Sequence, residues 1–103
     1  YSFTKHVFNT LTYKRSRTKK ETWKQCSKDF NRFIQKLRRY HRDKIEYLRV
    51  VEQHKDQFPH IHVLLQFTRI SIQVRDNRWF DREMYKRWKG LWTHGLSDFQ
   101  TPK

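Results

Sequence analysis

The sequence predicts an α+β domain in which helices pack on one face of an antiparallel sheet of four to five strands, while the other face stays open as an active site. Two observations predict this fold. Apolar residues alternate with polar ones in several short segments, and in two longer segments they recur at helical spacing. These segments follow one another in the order strand, helix, strand, strand, helix, strand. A length of 103 residues allows one domain with a modest core.

The N-terminal part of the chain predicts a strand, a basic loop and a long helix. Residues 5–13 are rich in β-branched and aromatic types, as strands are, and residues 14–20 are basic with Ser and Thr. From residue 21 to residue 41 apolar side chains recur every three or four positions, which predicts an amphipathic helix. Thr18 and Glu21 have the spacing of a capping box, which supports a helix start at this point.

The middle of the chain predicts a hairpin. Residues 45–53 and residues 60–67 each have strand character, and a short polar connection at 54–59 separates them. Two strands joined in this way pair antiparallel. Residues 68–78 are harder to assign, because their apolar positions alternate as in a strand although the segment is short and has polar flanks.

The C-terminal part predicts a second helix and a last strand. Residues 79–88 have an amphipathic helical pattern, and Gly90 is the expected C-terminal cap of this helix. Residues 94–100 then predict the final strand. With this element order, both helices are expected on one face of the sheet.

The charge of the chain restricts the kind of partner it binds. Its 24 Lys and Arg residues outnumber 10 Asp and Glu residues, which gives a net charge of +14. Such a surface favours a polyanion, with nucleic acid as the first candidate and an anionic membrane surface as the second. The aromatic content of 17% argues against a disordered basic tail. A groove that follows phosphates and stacks bases needs both residue types.

The cysteine and hydropathy patterns indicate an intracellular protein. Cys26 is the only cysteine, so the chain has no internal disulfide and no cysteine-based zinc site. This composition suits the reducing interior of a host cell. No uncharged apolar stretch is long enough to span a membrane, so we expect no membrane insertion.

The segment 59–67 (PHIHVLLQF) predicts a metal site. In a strand His60 and His62 lie on one face and the apolar residues between and after them on the other. Glu52 lies near the end of the preceding strand, and the hairpin would bring it across from one of the histidines. A set of two histidines and one carboxylate suits Mn²⁺ or Mg²⁺ and also accepts Zn²⁺, Co²⁺ or Ni²⁺. His54 competes with Glu52 as a ligand, and two ordinary polar strand residues are the alternative.

Three segments carry a resemblance to a known family. The segment 59–67 resembles the His-hydrophobe-His motif of the HUH endonucleases, and most of all that of the rolling-circle replication initiators (Rep proteins) of small viruses and plasmids. The segment 7–15 (VFNTLTYKR) is similar to the first motif of that family. The segment 91–98 (LWTHGLSD) resembles the Trp-x-x-Gly segment of a plasmid and phage subgroup. The resemblance covers nearly the whole chain, and its most specific part is the set Glu52, His60 and His62.

The resemblance implies a fold and a reaction. The implied fold has an open sheet like that of the RNA-recognition fold, known in this superfamily as the HUH palm. In this family of nucleases and nucleotidyltransferases, a bound divalent ion polarises the scissile phosphate of single-stranded DNA, in some cases within an origin hairpin. A tyrosine on a helix attacks the phosphorus and becomes joined to the 5′ end, which initiates replication.

The nucleophile is the point at which the sequence departs from the family. Tyr85 with Lys89 resembles the tyrosine and lysine of the catalytic helix, yet this helix comes one element too early. Tyr85 is therefore the weaker candidate, and we expect the nucleophile to lie beyond residue 103. Residues 1–103 are then a single Rep-type nuclease domain truncated at its C-terminus, which would bind metal and DNA without cutting.

The loop after the first strand is the predicted DNA contact. Phosphate contacts supply affinity without reading sequence. The predicted contact residues are Lys14, Arg15, Arg17, Lys19 and Lys20.

Two other functions stay open at the level of sequence. The first is a non-catalytic module that holds single-stranded nucleic acid on its sheet, although its strands lack the alternating exposed aromatics of such a surface. The second is a single-tyrosine transposase of the same superfamily, which shares the two histidines.

Overall fold

The computed structural model describes residues 2–75, 78–79 and 81–101. The elements are β1 (Ser2–Thr4), β2 (His6–Leu11), α1 (Lys19–His41), β3 (Glu46–Gln53), β4 (Pro59–Gln66), β5 (Ile72–Arg75), β6 (Arg78–Trp79), α2 (Arg82–Gly90) and β7 (Ser97–Gln100). Over these residues the strands form two antiparallel sheets, one in the order β3-β4-β2-β7 and one in the order β1-β5-β6. The α+β prediction is confirmed.

The four-stranded sheet has a buried face and an open face, as the alternation in β4 predicts. Ile61, Val63 and Leu65 are 0–2% exposed, and they share a buried cluster with the apolar side of α1. His60 and His62, which alternate with them, are only half-buried. Helix α2 packs on the buried face too. Its Trp88 belongs to the same cluster and lies 4.9 Å from Phe99 of β7 between ring centroids.

Helix α1 begins and ends at identifiable caps. The side chain of Thr18 accepts a hydrogen bond from the backbone N–H of Glu21 at 3.2 Å, so the predicted capping signal is present. At the C-terminal end Arg42 adopts a left-handed conformation with φ 52°. Arg38 then donates two hydrogen bonds, of 2.9 and 2.7 Å, to the carbonyl of Ile45. These bonds tie the end of the helix to the start of β3.

The second half of the chain departs from the prediction at several points. Residues 72–75 of the unassigned segment form β5, which pairs with β1 rather than with the main sheet. The second helix begins at Arg82, not at residue 79, because the side chain of Asp81 accepts from the N–H of Met84 and caps it there. Gly90 is not the cap. The helix includes it and ends in the right-handed region at Leu91, so no left-handed residue is needed.

Among residues 2–75, 78–79 and 81–101, no helix is both long and apolar enough to cross a membrane.

Candidate metal and nucleic-acid site

The hairpin of β3 and β4 brings the predicted ligands to one face of the sheet. Glu52 of β3 pairs with His60 of β4, and His62 pairs with Val50 on one side and with Thr10 of β2 on the other. Directly paired residues of antiparallel strands project from the same face. Glu52, His60, His62 and Thr10 therefore all lie on the open face, opposite the helices.

His62 has a carboxylate at one ring nitrogen and a hydroxyl at the other. Its Nε2 lies 3.5 Å from Oε2 of Glu52, and its Nδ1 lies 3.4 Å from Oγ1 of Thr10. The side chains of His62 and Glu52 are 44% and 60% exposed, so a ligand can reach both. Two ligand atoms bound to one ion at about 2.1 Å lie about 3 to 3.5 Å apart. The donor pair therefore fits a divalent ion.

His60 is drawn away from this pair and toward the tip of the hairpin. Its Nε2 lies 3.6 Å from Oδ2 of Asp56, and its ring stacks on that of His54 with centroids 4.1 Å apart. Donor atoms of His54, Asp56 and His60 all lie within 4.8 Å of one another. Glu52, His60 and His62 form no such group of three in the described part of the chain. Two of the three predicted ligands, Glu52 and His62, are thus in contact, and the complete set stays a prediction.

Tyr85 lies on the other side of the sheet. Its ring packs against the ring of Phe99, with centroids 6.4 Å apart, and the ammonium of Lys89 is 5.0 Å from its centroid. Phe99 pairs with Asn9, whose side chain is buried on the helix-covered face. Tyr85 and the open-face residue His62 are therefore separated by the sheet.

Tyr13 also belongs to the helix-covered side. Its hydroxyl donates to Oδ2 of Asp29 on α1 at 2.9 Å. Burial, together with the negative charge of nearby groups and this hydrogen bond, raises the pKa of Tyr13 far above its ordinary value. The phenol therefore stays protonated at neutral pH and serves as a hydrogen-bond donor to the buried carboxylate.

One of the five predicted DNA-contact residues, Arg17, has its partner in the interior. Arg17 donates to Oδ2 of the buried Asp29 at 2.7 Å. Burial would raise the pKa of Asp29, but the hydrogen bonds from Arg17 and Tyr13 outweigh it and hold that pKa low. Arg17 is therefore needed to balance a buried charge, which its position in a basic loop did not indicate.

The other four predicted contacts are more accessible. Arg15 lies over the ring of Phe58 and 3.4 Å from Oδ2 of Asp56, and Lys19 donates to Oε1 of Gln57 at 3.0 Å. These contacts bring the basic loop against the tip of the β3–β4 hairpin. Like Arg15 and Lys19, the remaining two residues, Lys14 and Lys20, are exposed.

An apolar surface beside the histidines was missed at the level of sequence. Phe8 is 47% exposed and pairs with Leu64, which in turn pairs with Leu48, a residue 70% exposed. The apolar strip of the open face consists of Phe8, Leu48, Leu64 and Val50, and Val50 is 55% exposed. The signal was available, because buried Val7, Asn9 and Leu11 alternate with Phe8 in β2.

The Trp-x-x-Gly segment holds the end of β2. The indole nitrogen of Trp92 donates to the carbonyl of Thr12 at 2.8 Å. Gly95 packs against that same carbonyl so closely that a Cβ atom would lie 2.3 Å from its oxygen. Leu96 adds a hydrogen bond from its N–H to Oγ1 of Thr12 at 3.1 Å. The segment thus fixes the strand that carries Phe8 and Thr10.

Comparison with known protein families gives a match over most of the chain. The model of the replication-associated protein ORF2 family matches residues 6–103. That range includes β2, the β3–β4 hairpin with its histidines, and the segment that contains Trp92 and Gly95. Neither a curated protein sequence nor a solved structure matches the chain.

Proposed function

The chain belongs to the replication-associated protein ORF2 family, and from this premise we propose that it is a metal-dependent domain that nicks and joins single-stranded DNA to initiate rolling-circle replication. One observation carries the proposal. Nε2 of His62 and Oε2 of Glu52 lie 3.5 Å apart on the open face, and His60 neighbours them on that face. This distance between a nitrogen and an oxygen donor suits a divalent ion. The basic and apolar surface beside the pair suits a DNA strand whose phosphate binds that ion.

The ligands of the ion are His62, Glu52 and His60. Rotation of the His60 side chain about χ1 would turn its ring from the hairpin tip toward Glu52, its register partner. Mn²⁺ or Mg²⁺ is the expected ion, and when bound it acts as a Lewis acid that polarises the scissile phosphate and fixes its position. In the metal-binding tautomer Nδ1–H of His62 donates to the hydroxyl of Thr10, which leaves Nε2 as the ligand atom.

The substrate is held by the surfaces around these ligands. Exposed basic side chains, Lys14 and Lys20 among them, bind the phosphates of the single strand. Phe8 offers a ring on which a neighbouring base stacks. We assign no covalent role to Tyr85, because its contact with Phe99 keeps it on the opposite side of the sheet from His62.

The first test measures metal and DNA binding together. The full chain is titrated with Mn²⁺ and then with a fluorescent single-stranded oligonucleotide, with EDTA as the metal-free condition. We expect His62→Ala and Glu52→Gln to weaken Mn²⁺ binding at least tenfold and to remove the effect of Mn²⁺ on DNA binding. His6→Ala is the matched control, since His6 is an exposed histidine at the far end of β2. Equal Mn²⁺ affinity in all variants would refute the site.

The second test looks for the covalent step. After incubation with the oligonucleotide and Mn²⁺, mass analysis of the digested protein reports any peptide joined to DNA and the tyrosine that it contains. An adduct on Tyr85 would contradict our assignment of no covalent role to this residue. An adduct on another tyrosine would identify the nucleophile, and no adduct would match the expectation from sequence that the chain binds metal and DNA without cutting.

One observation favours a second function, the binding of single-stranded nucleic acid without cleavage. Phe8 and the rest of the apolar strip give the open face the exposed aromatic that the strand patterns had not indicated. Under this alternative DNA binding is the same in Mn²⁺ and in EDTA, so the first test separates the two functions.

A further inference from the structure

We propose that the tip of the β3–β4 hairpin is a second cation site, formed by His54, Asp56 and His60, that takes Zn²⁺, Ni²⁺ or Co²⁺. The site stands on its own geometry. The first site is the one proposed above, formed by Glu52, His60 and His62. Competition between the two sites for His60 rests on the proposed function.

The donor atoms of the three residues are already gathered. One donor of each lies within 4.8 Å of the other two, and Nε2 of His60 is 3.6 Å from Oδ2 of Asp56. The rings of His54 and His60 are nearly parallel, at 15°, with centroids 4.1 Å apart. Two ligand atoms of one ion lie about 3 to 3.5 Å apart, so donors as far apart as 4.8 Å have to approach by about 1.5 Å to complete the set.

The carboxylate of Asp56 is oriented by its own turn. Its Oδ1 accepts a hydrogen bond from the backbone N–H of Phe58 at 2.9 Å, which leaves Oδ2 directed at His60 and Arg15. The ligand that brings negative charge is therefore held in place before a cation arrives.

The hairpin tip itself is anchored from two sides. The N–H of His54 donates to the carbonyl of Phe58 at 3.2 Å, and the N–H of Gln57 donates to the carbonyl of His54 at 2.8 Å. From α1, the indole nitrogen of Trp23 donates to the carbonyl of Gln57 at 2.9 Å. A loop fixed in this way loses little conformational freedom when it binds an ion, which favours binding.

The chemistry of the donors selects the ion. Two imidazoles and one carboxylate suit Zn²⁺, Ni²⁺ and Co²⁺. The first site has the same donor types, but the structure groups only the three donors at the hairpin tip, so we expect these ions to bind at the tip first. Arg15 lies 3.4 Å from Asp56 and would move aside for the cation. Its side chain is 62% exposed, so the ion pair that has to be broken is a weak one.

The two sites share His60. When Nε2 of His60 binds an ion together with His54 and Asp56, it is not available to the ion held by His62 and Glu52. A nitrogen-preferring metal at the hairpin tip thus removes one ligand from the first site. We expect Zn²⁺ to lower the affinity of the protein for Mn²⁺ at the first site.

The experiment titrates the full chain with Zn²⁺ by calorimetry and with Mn²⁺ by electron paramagnetic resonance. His54→Ala and Asp56→Asn are each expected to weaken Zn²⁺ binding at least tenfold and to leave Mn²⁺ binding unchanged. Asp56→Asn keeps the oxygen that accepts from Phe58, so the turn is preserved. Glu52→Gln is the matched control, expected to weaken Mn²⁺ binding alone, and His60→Ala is expected to weaken both.

The outcomes separate this site from the proposed function. Unchanged Zn²⁺ affinity in His54→Ala would overturn the site, and so would an equal loss of Zn²⁺ affinity in Glu52→Gln, which would indicate one composite site. If Mn²⁺ binding is unchanged in every variant while His54→Ala loses Zn²⁺ binding, the first site is refuted and the second site is supported. Adding Zn²⁺ should release Mn²⁺ from the wild type at a lower Zn²⁺ concentration than from His54→Ala.

Discussion

Thr10 and His62 lie side by side on the open face, with Oγ1 of Thr10 3.4 Å from Nδ1 of His62. The opposite ring nitrogen, Nε2, faces Glu52 at 3.5 Å. When Nδ1–H of an imidazole donates to a hydroxyl, the bond fixes the ring orientation and leaves the other nitrogen unprotonated and free to bind a metal. A threonine of β2 thus orients a histidine of β4, which gives the threonine-bearing first motif a physical role.

Replacement of Thr10 tests this role. Thr10→Val keeps the shape of the side chain and removes the hydroxyl, so we expect the affinity for Mn²⁺ to fall about tenfold, as for other groups that orient a metal ligand. Thr10→Ser keeps a hydroxyl and is the control, with affinity close to that of the wild type. Calorimetric titration measures both. Equal affinities in Thr10→Val and Thr10→Ser would mean that the contact does not orient His62.

The apolar strip next to His62 predicts where a base stacks. Phe8 precedes Thr10 by two residues in β2, a distance of about 7 Å along a strand, so a nucleotide beside a phosphate at His62 can reach the ring of Phe8. Stacking of a base on an aromatic ring contributes about 1 to 3 kcal/mol. Phe8→Ala should therefore weaken binding of single-stranded DNA about 5- to 150-fold, with Mn²⁺ affinity unchanged.

A second exposed phenylalanine provides the control for Phe8. Phe3 is 65% exposed and belongs to β1, in the other sheet. Fluorescence anisotropy should give the same DNA affinity for Phe3→Ala as for the wild type, and Phe8→Trp should bind at least as tightly as the wild type. Equal losses in Phe8→Ala and Phe3→Ala would indicate a nonspecific effect of surface hydrophobicity.

The sequence was sufficient to predict the sheet face but not the side-chain positions on it. The alternation in β4 determines that His60 and His62 share a face, because successive residues of a strand point to opposite sides. The direction in which His60 turns depends on the hairpin tip, where Gln57 has a φ of 67° and Asp56 accepts from Phe58. No periodic pattern encodes such a turn.

Arg17 and Gly90 illustrate a second reason why prediction fails. Arg17 lies in a run of basic residues, and only the fold reveals that the buried Asp29, twelve positions later, needs its charge. Gly90 has the residue type of a helix cap, but the helix ends at Leu91 without a left-handed residue. For Arg17 a contact between distant residues outweighs the local signal, and for Gly90 the backbone stays right-handed where the residue type favours a left-handed cap.

The contact of Gly95 with Thr12 predicts a large effect on stability. Gly95→Ala would place a Cβ atom 2.3 Å from the backbone oxygen of Thr12, and backbone atoms cannot yield as a flexible side chain does. We expect the free energy of unfolding to fall by about 2 kcal/mol or more. Gly90→Ala is the matched control, since a Cβ atom there meets nothing within 4 Å. It should leave stability unchanged or raise it by up to about 1 kcal/mol.

Urea unfolding of the two glycine variants measures the difference. Similar stability of Gly95→Ala and Gly90→Ala would mean that the segment does not press against β2. A loss confined to Gly95→Ala would confirm that the Trp-x-x-Gly segment holds the strand that carries Thr10.

The contact of His41 with Trp88 predicts how stability depends on pH. The indole nitrogen of Trp88 donates to Nε2 of His41 at 2.7 Å, which requires that nitrogen to be unprotonated. Burial lowers the pKa of His41, although the charge of Asp43 partly opposes this, and burial lowers the pKa of His94 too. The unfolded chain therefore binds protons more readily than the folded protein just below the ordinary histidine pKa. The free energy of unfolding should fall as the pH is lowered from 7 to 5.

His41→Gln isolates the contribution of this histidine. The amide oxygen of Gln can accept from Trp88 but does not titrate, so the variant should lose less stability than the wild type between pH 7 and pH 5. His6→Gln, which removes an exposed histidine, controls for the loss of one imidazole. Urea unfolding at several pH values gives the slopes. Identical slopes in His41→Gln and the wild type would show that protonation of His41 does not limit stability, and the pH dependence would then belong to His94.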